Sequence, residues 1–424
     1  MVGPKALGLA DLEPVGPGTP AGRYLRLFWQ PVMRAKDLAP GRAKPLEVLG
    51  EKFTIYRGED GAPHVVARRC PHRGTPLSLG WVEGDAIRCR YHGWKFDGTG
   101  QCIEQPNEDR PFSEKISLPC YPTREYARLI FAYLGEGAPP EFRRYPDLDR
   151  PGVLIADPVE VLPCTFWNRL DNDHGHRAWV HRATARRLGR NDILVIRHEA
   201  VEETAYGWKG TRTVKGEEGD AASSMGALEG ERDAAQDALG EAKATHWFMP
   251  NVRLFFQPTR AKGYQGSGLW DAKVVWTVPI NDASHAAFDV TLTPLEGAEA
   301  RAYAKARAEQ EEEAETRWDL AEKILAGEMT LEDLPDDMGA YTSFTIEDYV
   351  TQVGQGPIRG RGKEHLAVSE ARLVVLRRLW LREVNAMMAG KPLCDWRIPE
   401  EPLSGGPPDN NGTEVVFKEG EYFQ

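Results

Sequence analysis

Cys70-Pro71-His72-Arg73-Gly74 and Cys89-Arg90-Tyr91-His92-Gly93-Trp94 are the stretches on which the reading of this chain turns. The first is C-x-H and the second C-x-x-H, with sixteen residues between His72 and Cys89. Each offers one thiolate and one imidazole, and each should sit at the tip of a β-hairpin loop. Cys70, His72, Cys89 and His92 together suit a [2Fe–2S] centre with two thiolates on one iron and two imidazoles on the other. Neutral imidazole gives less charge than thiolate, so such a centre has a higher potential than an all-cysteine one. That suits a one-electron relay feeding an oxidising site. Tetrahedral zinc takes the same four side chains. Zinc sites, however, usually pair like ligands, cysteine with cysteine and histidine with histidine. Here each loop is mixed, which favours the iron–sulfur reading.

A second concentration of ligand types follows. Asp173-His174-Gly175-His176-Arg177-Ala178-Trp179-Val180-His181 packs three of the chain's ten histidines and an aspartate into nine residues. A solvated helix with incidental histidines would not gather them so densely. Two imidazoles and one carboxylate, with coordination positions left open, make the facial triad of non-haem Fe(II) oxygenases. The open positions admit O2 beside a substrate. Either His174 or His176 could join His181. His176 and His181 are five apart, about one and a half helical turns. A helix carrying both must kink or widen, as π-bulges do at functional sites.

The chain of 424 residues is long enough for two or three domains, and 41% hydrophobic content is that of a soluble globular protein. No apolar run reaches the ~18–20 residues needed to span a bilayer. Met1 to Pro20 has no apolar core of a secretory signal, so a cytoplasmic location is expected. Six cysteines are too few for a disulfide scaffold, and Cys102, Cys120, Cys164 and Cys394 are expected to be free thiols. A formal charge of −11 with no basic stripe argues against a nucleic-acid partner. No strand is followed by G-x-G-x-x-G and a helix, so no dinucleotide site is expected. No ferredoxin-type run of cysteines occurs either.

Short alternating runs at Leu46–Leu49, Phe53–Tyr56, His64–Ala67 and Ala86–Arg90, separated by turn residues, predict a small all-β domain. Leu129 to Leu134 should close it, and the boundary should lie between Gly135 and Gly152. The second half mixes types. Cys164 to Arg182 reads as helix. Ile193–His198, Gly207–Val214, Thr245–Gln257, Asp271–Ile280 and Ala286–Thr293 read as strands, the last three forming one antiparallel sheet. Residues 215–243, rich in Gly, Ala, Glu, Asp and Ser, read as an insertion that adds little core. Glu299 to Leu325 should be a solvated helix and Ser369 to Met388 the closing one. His246 to Asn251 and Phe255-Phe256 are candidates for a substrate pocket. Trp247 and Met249 would line it, with Asn251 as a polar anchor for an aromatic acid or ether. Core packing is the alternative for each of these, since such residues are more often buried.

Cys89-Arg90-Tyr91-His92-Gly93-Trp94-Lys95-Phe96 resembles the second cluster loop of Rieske non-haem iron oxygenases, C-x-Y-H-G-W-x-F/Y, and Cys70-Pro71-His72-Arg73-Gly74 resembles the first. Asp173, His176 and His181 fit the family's D-x2-H-x4-H, which favours His176 over His174. Leu170-Asp171-Asn172-Asp173 is shorter than the corresponding stretch in relatives. Glu347-Asp348, followed by Gln355-Gly356-Pro357-Ile358 and Glu364-His365-Leu366, is similar to the segment carrying the third iron ligand. Asp348 falls on that position, with Asp336, Asp337 and Glu347 as competitors. The resemblance is to the phthalate 4,5-dioxygenase and 5,5'-dehydrodivanillate O-demethylase group; Tyr126 to Pro140 is especially like the latter.

That resemblance implies an α+β fold. An N-terminal all-β Rieske [2Fe-2S] domain with an extension would occupy residues 1–145. A helix-grip-like catalytic domain with an antiparallel sheet would occupy residues 146–424. It implies one [2Fe–2S] cluster on Cys70, His72, Cys89 and His92, and one mononuclear Fe(II) on His176, His181 and Asp348. O2 would be co-substrate, and electrons would come from NAD(P)H through a separate reductase, with or without a ferredoxin. It implies a head-to-tail homotrimer in which Asp173 bridges His92 of the partner subunit and His176. The expected reaction is monooxygenation or O-demethylation of a methoxylated or carboxylated aromatic, with ring cis-dihydroxylation second. An electron-transfer Rieske protein without oxygenase activity is the reading from another class, against which the second motif stands.

Overall fold

Side chains two apart along a strand share a face, and in Glu51–Arg57 and Pro63–Ala67 both faces are buried. Phe53, Ile55 and Val65 enter the main hydrophobic core. Tyr56 and Val66 enter a smaller core that also holds Cys70, Cys89, Trp94 and Phe96. These two strands are therefore a wall between two interiors. The computed structural model describes residues 6–172, 177–187, 197–214, 244–259, 269–313, 317–335 and 338–403.

The wall belongs to a four-stranded antiparallel sheet ordered Arg42–Val48, Glu51–Arg57, Pro63–Ala67, Cys120–Tyr121. A second sheet, Trp81–Glu83, Ala86–Arg88, Lys95–Phe96, Cys102–Glu104, carries one ligand loop in its middle hairpin. A third places Leu129–Ala132 between Gln30–Arg34 and Thr123–Tyr126. The expected all-β first half is thus present, with Leu129–Ala132 buried throughout.

The stretch expected to link the halves is packed rather than loose. Phe142 meets Trp29, Tyr126 and Phe131 edge-on, Arg143 donates to the Met249 carbonyl at 3.0 Å, and Tyr145 and Leu148 lie in the main core.

The second half is built on one eight-stranded antiparallel sheet. Its order is Val153–Ala156, Ser284–Thr293, Trp270–Asn281, Val252–Pro258, Thr245–Phe248, Gly207–Val214, Arg197–Thr204, with Glu160–Leu162 also pairing to Ser284–Thr293. The strand expected across Thr245–Gln257 is two strands. Pro250 has no N–H to give to a ladder, and Met249 to Asn251 turn the chain between them. The strand expected at Ile193–His198 runs at Arg197–Thr204, residues 193–196 being outside the described residues. The expected helix from Glu299 to Leu325 is two, Gly297–Glu313 and Trp318–Leu325. The insertion expected at residues 215–243 also lies outside the described residues.

Helix α1 is Pro20–Leu25; α2, α3 and α4 are Phe166–Asp171, Arg177–Val180 and Arg182–Arg187; α5 and α6 are the two just given; α7 is Ala340–Gly354 and α8 Ala371–Met388. Helix α8 buries Leu376, Leu379, Trp380 and Val384 in the main core. The Trp380 indole meets Tyr24 of α1 and Trp167 of α2 edge-on, at 5.2 and 5.1 Å between centroids. Such pairs add roughly 0.5–1.5 kcal/mol each beyond area burial. The N-terminal segment is held to the second half as well. Trp167 Nε1 donates to the Leu12 carbonyl, the Ile358 N–H to Glu13, the Val15 N–H to Asp282 and the Leu7 N–H to Asn385. Among the described residues no helix is long and apolar enough to cross a membrane.

Candidate metal centres

The two cysteine loops close in the same way. The Gly74 N–H donates to the Cys70 carbonyl at 2.9 Å, and the Gly93 N–H to the Cys89 carbonyl at 3.0 Å. Outside each turn, the Cys70 N–H donates to Thr75 and the Cys89 N–H to Trp94. Both glycines are left-handed, at φ +78° and +76°, which an L side chain adopts only at a cost. The turns bring His72 and His92 to 4.4 Å between ring centroids. Trp94 stacks on His72 at 4.5 Å and an interplanar angle of 8°. Arg88 donates to the Gly93 carbonyl and to Glu83, fixing the second loop from below.

Both thiols are buried and both imidazoles are partly exposed. This polarity, sulfur inward and nitrogen outward, suits a two-iron cluster with one iron facing the surface. Burial pushes the Cys70 thiol up to about 12, against the His72 backbone N–H, and the adjacent Cys89 adds to the rise. Thiolate ligation therefore releases protons on binding. Desolvation, and then His72 and Arg73, hold His92 below the ordinary imidazole value. A neutral ring is the form that ligates.

A Cβ at Gly93 would come within 2.8 Å of Pro106 Cγ, whereas one at Gly74 meets nothing nearer than 3.8 Å. Gly93→Ala is therefore expected to reduce cluster content per chain more than Gly74→Ala does. Iron and acid-labile sulfide analysis of the purified variants checks this; equal, full cluster loading in both would refute it.

At the second centre, Asn168 in α2 donates to the Gln352 and Gly356 carbonyls, which ties α2 to the end of α7. Asn172 caps α2, and its Nδ2 donates to Asp348 Oδ1 at 3.2 Å. His181 lies at the joint between α3 and α4. The helix expected from Cys164 to Arg182 is thus broken into α2, α3 and α4. His181 Nε2 is 3.9 Å from Asp348 Oδ1. Facial ligands, each bonded at about 2.1 Å to one ion, stand roughly 3 Å apart, so this pair lies near a metal-sharing separation and would close by about an ångström on one. His181 Nδ1 meets Glu347 Oε2 at 3.1 Å, and Phe344 lies edge-on to the ring.

Asp173, His174 and His176 lie outside the described residues, as do the competitors Asp336 and Asp337. Among the described residues no three His, Cys, Asp or Glu side chains gather around one ion position. Trp247, Met249 and Asn251, the residues expected to line a substrate pocket, are all buried, Trp247 and Met249 in the main core. Asn251 gives its amide protons to Gln30 Oε1 and the Thr277 carbonyl, so it is not a free polar anchor. Trp247 Nε1 donates to the Pro250 carbonyl.

Sequence reading missed Asn172, although it stands beside Asp173. It also missed the charged cluster behind it. Asp171 accepts from Arg377 and Arg361, and both arginines also reach Glu364. Glu364 and Asp171 were each noted for their motifs, but nothing local joined them.

Residues 28–122 match the Rieske [2Fe-2S] domain family. The 5,5'-dehydrodivanillate O-demethylase oxygenase subunit of Sphingobium sp. (strain NBRC 103272 / SYK-6) is 26% identical over 397 residues, 90% of this chain and 80% of that protein. This chain belongs to the Rieske non-haem iron oxygenases. It is a terminal oxygenase component of that family, an oxidoreductase. The phthalate 4,5-dioxygenase oxygenase subunit of Pseudomonas putida is 25% identical over 402 residues, covering 88% of this Rieske oxygenase and 84% of its relative. Other relatives match through a shorter stretch; one 39% identical aligns over 36% of this chain and 34% of its own length. The terminal oxygenase of carbazole 1,9a-dioxygenase from Nocardioides aromaticivorans IC177 has the same fold. Its TM-score is 0.62 at 18% identity, covering 89% of this Rieske oxygenase and 96% of that chain. The family's cofactors are a [2Fe–2S] cluster and a mononuclear iron, with O2 as co-substrate.

Proposed function

We infer that this Rieske oxygenase O-demethylates, or otherwise monooxygenates, a methoxylated or carboxylated aromatic compound. Similarity to the 5,5'-dehydrodivanillate O-demethylase subunit over 90% of the chain carries this reading. For O-demethylation the balance is methoxyarene, O2, two electrons and two protons in; phenol, formaldehyde and water out. The electrons come from NAD(P)H through a separate reductase. Ring cis-dihydroxylation of an aromatic acid is the second reading, favoured by similarity to the phthalate 4,5-dioxygenase subunit.

When bound, the iron activates O2 and the cluster supplies electrons singly. Cys70, His72, Cys89 and His92 would hold the cluster. His176, His181 and Asp348 would hold the iron and leave positions open. The 3.9 Å approach of His181 to Asp348 supports this assignment. Asn172 holds Asp348 from the side. The burial of His181 keeps water from one flank of the site. Leu79, Trp81 and Tyr91 are exposed beside the cluster loops, an apolar rim suited to another protein surface. The head-to-tail homotrimer, with Asp173 bridging His176 and His92 of the partner subunit, accords with that rim.

The test is turnover with isotopic O2, a reductase and a panel of methoxylated and carboxylated aromatics. Formaldehyde with labelled water or labelled product is expected; a cis-diol would overturn the first reading. Asp173→Asn should retain both metals and lose most coupled turnover. Wild-type single-turnover rates in that variant would contradict the bridge.

A further inference from the structure

We propose that Glu347 orients His181 for metal binding from behind the imidazole, as a positioning residue and not as a ligand. This rests on reading His181 and Asp348 as ligands. Glu347 and Asp348 are neighbours on α7, so their side chains leave the helix about 100° apart. Glu347 goes inward and is wholly buried, while Asp348 is partly exposed. Each Glu347 oxygen meets a donor. Oε2 is 3.1 Å from His181 Nδ1, and Oε1 accepts the Thr184 N–H at 2.9 Å.

Three consequences follow from that geometry. A carboxylate beside Nδ1 places the ring proton there, which leaves the Nε2 lone pair facing Asp348. The Thr184 N–H belongs to the first turn of α4, where helix donors lack intrahelical partners. Glu347 accepts it and so fixes α4 and the His181 ring together. Finally, a carboxylate behind a ligating imidazole raises its basicity and its hold on metal. One residue step along α7 therefore separates a group that would touch the ion from one that aims another ligand at it.

Glutamine at this position has one carbonyl oxygen for two donors, and its amide would set an N–H against one of them. The experiment compares metal-depleted wild type, Glu347→Gln and His181→Ala, each as the full chain with its cluster. Each is titrated with Co(II) by equilibrium dialysis and by low-temperature EPR with the cluster oxidised and EPR-silent. Glu347→Gln should bind Co(II) about 10- to 100-fold more weakly, with an altered Co(II) signal and an unaltered EPR signal of the reduced cluster. His181→Ala should lose the site. If His181→Ala loses Co(II) while Glu347→Gln keeps wild-type affinity and spectrum, the positioning role is wrong and the ligand reading stands. If His181→Ala binds as wild type does, the ligand reading itself is wrong. A measurement on metal-depleted wild type needs no folded Glu347 variant. With 15N-labelled histidine, the His181 resonances should report the Nδ1–H tautomer; the Nε2–H tautomer would overturn the proposal.

Discussion

Asp171→Ala should destabilise the second half by about 3–5 kcal/mol, the usual cost of removing one partner from a buried charge network. Asp171 is almost fully buried and accepts from Arg377 Nε at 3.2 Å, from Arg377 Nη2, and from Arg361 Nη1 at 3.4 Å. Burial alone would lower the Arg377 pKa; the hydrogen bonds it donates to Glu364 and Asp171 outweigh that and hold the guanidinium above its ordinary value. Without Asp171, two cations share Glu364 in a largely buried place. Whole-domain stabilities are about 5–15 kcal/mol, so the loss is a large fraction. Urea denaturation followed by tryptophan fluorescence measures it, since Trp167 and Trp380 lie on the helices that carry Asp171 and Arg377. The double variant Asp171→Leu with Arg377→Met should lose less than the sum of the singles. Additive losses would mean that the two residues are not coupled. Asp171 also ends α2 immediately before Asn172, so iron retention should fall along with stability.

The folded state should weaken steeply between pH 6.5 and about 4. Burial lowers His246 and His285 to about 4, from the ordinary 6.5. His246 is held by the Tyr206 hydroxyl at 2.8 Å, and His285 by the Cys164 carbonyl at 3.0 Å. In the folded state both stay neutral down to about pH 4, whereas the unfolded chain binds those protons below about 6.5. The unfolded state thus holds more protons in this window, and stability rises with pH across it. The contribution is complete above pH 6.5 and is lost as pH falls through 4. Each histidine accounts for about 3 kcal/mol across the window. Urea midpoints at pH 7.5, 6, 5 and 4.5 trace the loss, and His285→Gln should flatten the curve. A profile that stays as steep in His285→Gln and His246→Gln would assign the effect elsewhere.

The cluster loops were legible in the sequence because their chemistry is local. Five residues from Cys70 to Gly74, and five from Cys89 to Gly93, contain the ligands and the glycine that closes each turn. The alternation that builds the small sheets is local too. What could not be read depends on distance or on rotation. Asp171 and Arg377 meet across 206 positions. Glu347 and Asp348 are both carboxylates on one helix, and only the packing of α7 decides which faces inward. Trp247, Met249 and Asn251 have the composition of a pocket lining and also that of a core; only the packing shows that Asn251 donates its amide protons to Gln30 and Thr277. The turn at Pro250 is marked in the chain only by the proline, inside an apolar run that otherwise has the pattern of one strand.

The anchoring of Leu7 to Leu25 against α2 and α8 has a consequence for how the chain is made. The hydrogen bond from Leu7 to Asn385 closes a span of 378 residues, and Tyr24 finds Trp380 only once α8 exists. Synthesis runs from the N-terminus at about 5–20 residues per second. The segment therefore waits roughly 20–70 seconds in the open before its berth is translated. Tyr24 lacks its Trp380 partner, and Leu7 its Asn385 partner, for that whole interval. This segment therefore completes its packing only after α8 has been made.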